Sequence, residues 1–303
     1  MKTKQVYGLK IQPPKKSAFM IDTPENLPKL HMLLLASGRR GGGKSVAVSN
    51  LVRMYLEQGI LDRVLLISPT YWSNKEIFEP LNIDEDDVLE PTKDAVKTVV
   101  EKVEQDKAEW EDFQIKLKKW KEYQKLMKSD KPLYMIDPEV LLEYMEMGFL
   151  DNAERPKWKY DHERLPRVFL IIDDSMGTEL MNPKSGLTNL CIKHRHIAEG
   201  TGISIAMLVQ SYSAQQGIAR PIRENCTFLC LFKNTQEAQI KKIYEEVGDK
   251  LTEEQFTKMF EYATNEPYSF LSIDFAPKKP EYKFRKRFEE YLLPNEVGAS
   301  APK

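Results

Sequence analysis

Residues Gly38-Arg39-Arg40-Gly41-Gly42-Gly43-Lys44-Ser45 complete the pattern G-x-x-x-x-G-K-S/T, shortly after the apolar run Met32-Leu33-Leu34-Leu35. A strand that delivers a glycine-rich turn into a helix leaves the first N–H groups of that helix unpaired, and the helix dipole adds partial positive charge there. Such a turn holds phosphate. Gly38 and Gly43 permit backbone angles and close approach that a Cβ would block, Lys44 can reach the outer phosphates, and Ser45 can ligate Mg²⁺. Gly38, Gly41, Gly42, Gly43, Lys44, Ser45 and Val46 are therefore the expected phosphate-binding set. The blander reading, a glycine-rich helix start that binds nothing, leaves the match of motif and context unexplained.

The rest of the composition narrows the class. A chain of 303 residues can bury about three quarters of its unfolded surface, enough for one elaborated domain or two small ones. The formal net charge of -1, with 30% charged residues, excludes a uniformly basic nucleic-acid coat but allows local basic faces. Three cysteines make no disulfide framework. Cys226 and Cys230 are four apart in an apolar run, which in a strand places both on one buried face. A reducing compartment follows from that usage. Residues 1–16 are lysine-rich without an apolar signal core, and no apolar run approaches the length of a membrane span, so a soluble, unsecreted protein is expected.

Short apolar runs at 31–36, 63–68, 167–172, 204–209, 227–232 and 268–274 read as strands, with helices between most of them. This alternation predicts an α/β fold, a mainly parallel sheet flanked by helices. The clearest helices are 45–57, stopped by Gly59, and 235–247, stopped by Gly248; 185–198 has a weaker pattern. The core is expected over 31–82 and 162–275, after an N-terminal extension at 1–30. Residues 83–161 break the rhythm with a charged helical insertion. Within it, 94–128 carries Val96, Val99, Val100, Val103, Trp110, Phe113, Leu117, Trp120 and Leu126 at helical steps. Two arrangements suit this stripe: packing on the core with its charges solvated, or projection toward a neighbouring subunit or partner. Residues 276–303, rich in lysine and arginine, read as a basic surface tail.

Chemistry beyond phosphate binding needs a metal and a positioned water. Val168-Phe169-Leu170-Ile171-Ile172 runs into Asp173-Asp174, paired carboxylates at the C-terminal edge of a strand, where parallel sheets bind ligands. Asp173 is the expected Mg²⁺ ligand beside Ser45, and Asp174 can polarise the attacking water. In related ATPases the second acid is often Glu, so Asp174 is a shorter base than usual. Gln210, at the end of 204–209, occupies the position of a γ-phosphate sensor. Arg195, Arg220 and Arg223 are the candidates to stabilise charge on a transferring phosphoryl group. His194 and His196 read as a solvated basic turn, and Arg39 and Arg40 add charge that the motif does not require.

Taken together, Gly38 to Ser45, Ile171-Ile172-Asp173-Asp174, Arg195-His196 before Gly202-Ile203, and Gln210-Ser211 followed by Arg223-Glu224-Asn225 resemble the genome-packaging ATPases of large double-stranded DNA viruses. Those poxvirus-type enzymes, with relatives in virophages, belong to the FtsK/HerA superfamily of DNA pumps. The similarity covers about residues 33–275, and the 83–161 insertion matches nothing in it. It implies a RecA-like core that hydrolyses ATP with Mg²⁺ between the subunits of a homo-oligomeric ring, a pentamer or hexamer, and drives double-stranded DNA into a capsid. It further implies capsid or portal-region partners, a place in host cytoplasm or a virus factory, and an arginine supplied in trans, Arg195 or Arg223. A P-loop kinase, with the insertion as its lid, and a nucleotide-dependent scaffold are the alternatives.

Overall fold

The computed structural model describes residues 21–129, 135–150, 154–212, 218–233, 237–248 and 251–293. Its framework is β1 (Leu33–Ser37), β2 (Arg63–Ile67), β3 (Val88–Leu89), β4 (Val168–Ile172), β5 (Ile203–Val209), β6 (Phe228–Phe232), β7 (Phe270–Asp274), β8 (Phe284–Lys286) and β9 (Glu290–Tyr291). These form one nine-stranded sheet among the described residues, in the order β3-β2-β4-β5-β1-β6-β7-β8-β9. Every pairing from β3 through β6 is parallel, and β7, β8 and β9 continue the sheet antiparallel. The fold is α/β, as the alternation of apolar runs predicts.

The central strands are apolar without interruption because both faces are covered. Leu33, Leu35, Leu170, Ile172, Leu229 and Leu231 enter one core; Leu34, Ala36, Phe169, Ile171, Phe228 and Cys230 enter the other. The helices are α1 (Lys44–Glu57), α2 (Lys75–Phe78), α3 (Ala95–Met127), α4 (Pro138–Glu146), α5 (Leu187–Lys193), the single turn α6 (Ile197–Gly200), α7 (Arg220–Glu224), α8 (Glu237–Val247) and α9 (Glu253–Ala263). Val48, Leu51, Val52 and Tyr55 of α1 cover the second core, while α5, α7, α8, α9 and the start of α3 cover the first.

The 33-residue α3 would span about 50 Å at 1.5 Å per residue, and its stripe divides between two jobs. Ala95, Val96, Val99 and Val103 join the main core. Farther along, Tyr123 packs with Tyr144 and Phe149 in a separate cluster built with α4. Helix α4 begins where Asp137 accepts a hydrogen bond from the Glu139 N–H and Pro138 occupies the first turn. The start of the helix thus packs on the core, and its far end packs on α4.

Several expectations change. Residues 88–89 of the insertion pair with β2 and so belong to the sheet edge. The helix read at 185–198 breaks after Lys193, because His194 turns its ring inward and Ala198 and Glu199 take left-handed angles. Part of the expected basic tail is sheet: in β8, Phe284, Arg285 and Lys286 are all buried. Their stems lie in the interior while the charged heads find acceptors, Arg285 at Asn26 O (2.9 Å) and Lys286 at Glu266 (2.8 Å). The extension before residue 31 is also integrated, with Leu27 and Leu30 fully buried and Ile21 bridged to Leu30. Cys226 precedes β6 rather than lying within it, so it packs toward the opposite core from Cys230. Residues 1–20 and 294–303, the ends of the extension and tail, lie outside the described residues, as do 235–236 at the start of the expected 235–247 helix. No helix among the described residues is long and apolar enough to cross a membrane.

Candidate functional site

The phosphate loop leaves β1 at the C-terminal edge of the parallel strands, between the ends of β5 and β6. Gly38 donates its N–H to Val209 O at 3.1 Å, and a Cβ on it would lie 2.5 Å from Phe232 Cβ, so only glycine lets the chain pass. Gly43 has φ 92°, a left-handed angle that turns the loop into α1. Lys44 lies against its own loop, with Nζ donating to the carbonyls of Gly38 and Arg39, both at 2.8 Å. Burial lowers the pKa of its ammonium, while the charges of Asp173 and Asp174 oppose that shift.

Strand β4 brings the acids to the same edge, and Asp173 extends its pairing by donating its N–H to Ile67 O at 2.9 Å. Ser45 Oγ donates to Asp173 Oδ2 at 2.9 Å. Burial raises the Asp173 pKa above the ordinary carboxylate value, with the Ser45 hydrogen bond and Lys44 pulling the other way. A buried carboxylate paired with a hydroxyl rather than a close cation is a favourable place for a divalent ion. Hard oxygen donors of this kind suit Mg²⁺, which takes one or two protein oxygens and completes its shell with phosphate and water. The residues present therefore fit the ion, and Ser45 and Asp173 would hold it.

Asp174 adopts φ 45°, a left-handed conformation at the strand end. Gln210, exposed just beyond β5, reaches it with Nε2 3.4 Å from Asp174 Oδ1. The four side chains singled out in the sequence, Lys44, Ser45, Asp173 and Asp174, thus share one edge with Gln210. A cleft of 1160 Å³ opens over them, lined by Gly41, Gly42, Gly43 and Val46 and continuing past Arg40 to residues near Tyr268.

The arginines lie elsewhere. Ile203 N donates to His194 O at 2.8 Å, so Arg195 sits at the beginning of β5, a strand length of about 20 Å from the end that carries Gln210. Its Nε is buried without a hydrogen-bond partner. Arg223 is engaged within its own chain, donating to Ile218 O at 2.6 Å, paired with Glu246 at 3.2 Å and stacked near the Tyr212 ring. Neither residue lines the phosphate cleft; Arg223 and Arg220 line a separate one of 690 Å³. His194 is not solvated. Its ring is buried, with Nδ1 2.7 Å from Cys191 O and Nε2 3.1 Å from His31 O, and burial lowers its pKa.

Tyr268, Arg287, Phe288, Asn50 and Met54 also line the phosphate cleft, and no sequence motif marks them. Asn50 and Met54 come from α1, whereas Tyr268, Arg287 and Phe288 reach the cleft because β6, β7 and β8 follow β1 in the sheet, an order that local patterns do not encode.

A mainly parallel sheet with a glycine-rich turn between its first strand and helix, and paired acids at the end of β4, separated from β1 by β5, defines a P-loop α/β fold. No family model and no curated protein matches the chain. Among solved structures it is similar to the conjugation coupling protein TcpA of pCW3, at 15% identity and TM-score 0.43, over 90% of this chain and 64% of that one. It is also similar to B204, the DNA-packaging ATPase from Sulfolobus Turreted Icosahedral Virus, at 12% identity and TM-score 0.42, over 85% of this chain and 97% of that one. A third likeness is to EssC (ATPases 2 and 3) from Geobacillus thermodenitrificans, at 14% identity and TM-score 0.40, over 90% of this chain and 41% of that one. The chain thus spans less than two thirds of the TcpA and EssC chains.

Proposed function

We propose that this chain is a Mg²⁺-dependent P-loop ATPase that translocates double-stranded DNA as a homo-oligomer. The observation that carries the hydrolytic part is the Ser45–Asp173 pair at 2.9 Å facing the Gln210–Asp174 pair at one sheet edge. Lys44, freed from the loop carbonyls, neutralises the outer phosphates, and the loop N–H groups hold the rest. Ser45 and Asp173 would hold Mg²⁺, which would supply neutralisation of phosphate charge. Asp174 then orients and polarises the attacking water, and Gln210 binds that water or the γ-phosphate and so registers its presence. Positioning and electrostatics account for most of the catalysis in such a site.

The DNA part rests on the motif order through Arg195-His196, Gln210-Ser211 and Arg223-Glu224-Asn225, which resembles packaging ATPases. Genome packaging into a capsid, a pentameric or hexameric ring, and contact with capsid or portal proteins belong to the same proposal. So does a trans arginine. The position of Arg195 at the opposite strand end suits action on a neighbour's nucleotide better than on its own, whereas Arg223 would first have to leave Glu246.

Phosphate release by the purified, assembled protein, with and without duplex DNA, tests the reading. Stimulation of turnover by duplex DNA is expected. ATP hydrolysis indifferent to DNA, together with no DNA binding, would remove translocation. Transfer of the γ-phosphate to a nucleoside or nucleotide with little free phosphate would replace the ATPase with a kinase.

A further inference from the structure

Asp173 and Asp174, both lining the 1160 Å³ cleft, mark the end that faces a terminal phosphate. Asp173, Asp174 and Gln210 come from β4 and β5, on one side of β1. The cleft also runs the other way, past Gly43, to Tyr268, Phe270, Arg287 and Phe288 around β7 and β8, beyond β6 on the opposite side of β1. A triphosphate whose last phosphate lies beside Asp173 directs whatever it is esterified to toward Tyr268 and Phe288. We infer that this end binds the nucleobase, with Tyr268 as its stacking platform, so that the site takes nucleoside triphosphates in preference to bare polyphosphate. The inference rests on the P-loop reading above.

Three observations on Tyr268 agree. It is 71% exposed, unusual for so large a ring. Its φ is 60°, a left-handed angle that costs free energy for a bulky side chain and that recurs at ligand clamps. Its ring lies over the phosphate loop, so that a Cβ on Gly43 would sit 3.2 Å from Tyr268 Cδ1. An exposed aromatic held in a strained conformation adds little to the fold. It does place a π-face at the mouth of the cleft, against which a base can stack. Behind it the floor is aromatic and already ordered: Phe288 meets Phe270 edge-on at 5.1 Å, and Phe270 lies 4.6 Å from Phe232. Phe232 is the same residue that leaves no room for a Cβ at Gly38, so base floor and phosphate loop share one packed unit.

Calorimetric titration of the full chain with ATP and with inorganic tripolyphosphate, both with Mg²⁺, tests this. Wild-type protein should bind ATP at least tenfold more tightly than tripolyphosphate. Tyr268→Gly should weaken ATP about tenfold, the scale of base–aromatic stacking, and leave tripolyphosphate unchanged. Tyr268→Phe should retain wild-type affinity for both. Glycine adopts φ 60° without strain, so the melting temperature of Tyr268→Gly should not fall, and misfolding would not explain the loss. Unchanged ATP affinity in Tyr268→Gly, or an equal loss for both ligands, would overturn the inference. Wild-type protein that binds tripolyphosphate as well as ATP would overturn it while leaving the phosphate site standing; binding of neither ligand would remove both.

Discussion

Asp173 shows how a single residue can be poorly placed for stability and well placed for chemistry. Burial holds its carboxyl above the ordinary carboxylate value. The charged form is therefore a cost to the folded state at neutral pH, and the cost disappears as pH falls through the folded value. Asp173→Asn keeps an acceptor for Ser45 and removes the buried charge. It should raise the melting temperature at neutral pH, an advantage that shrinks in acid, while Mg²⁺-dependent turnover is lost. A pH series of thermal melts beside a phosphate-release assay reads both effects; a lower melting temperature at neutral pH would contradict this account of the site. At this scale the sequence was informative wherever a motif fixed the chemistry. Ser45 and Asp173 are 128 positions apart, yet the sequence pairs them, because a phosphate loop and an acid-terminated strand imply a shared edge. The burial of His194 is not legible in the sequence because its ring partners are the carbonyls of Cys191 and His31, the latter 163 positions away.

Among elements, the junction of β2, β3 and α3 carries the strongest electrostatic commitment. Arg63 pairs with Asp87 at 2.7 Å and with Asp106 at 2.8 Å, and both carboxylates are almost wholly buried. Burial alone would raise the Asp87 pKa; hydrogen bonding and attraction to Arg63, with Lys102 adding to them, bring it below the ordinary value. This contribution is present above the ordinary carboxylate range and lost as pH falls through the lowered value. Arg63→Met preserves much of the stem but strands charge in the interior. It should cost about 3 kcal/mol, about 5 °C in Tm, measured by denaturant and thermal unfolding at neutral pH. A change within 0.5 kcal/mol, as at an ordinary surface position, would mean that Lys102 and Lys159 suffice to hold the two acids. The central strands and α3 were legible because their apolar periodicity is long. Strands β3, β8 and β9 were not, since two or three residues give no periodicity and Arg285 and Lys286 look like surface positions until their acceptors are known.

Over the whole molecule, sheet order converts these local features into a site. Placing β1 between β5 and β6 sets the acids on one side of the phosphate loop and the aromatic floor on the other. Arg195, at the far end of β5, and Arg223, in a separate cleft, both lie away from the phosphate cleft. Alternation of strands and helices made the α/β class readable, but the wall formed by Tyr268 and Phe288 arises only once the chain is folded. The central claim is that Lys44, Asp173, Asp174 and Gln210 form one ATP-hydrolysing centre. Its most direct test is steady-state phosphate release with saturating ATP and Mg²⁺ for wild type, Lys44→Ala and Asp174→Asn, each paired with an ATP-binding measurement. The account predicts turnover in wild type, loss of at least 10²-fold in both variants, and ATP binding retained by Asp174→Asn; turnover unchanged in Lys44→Ala would contradict it.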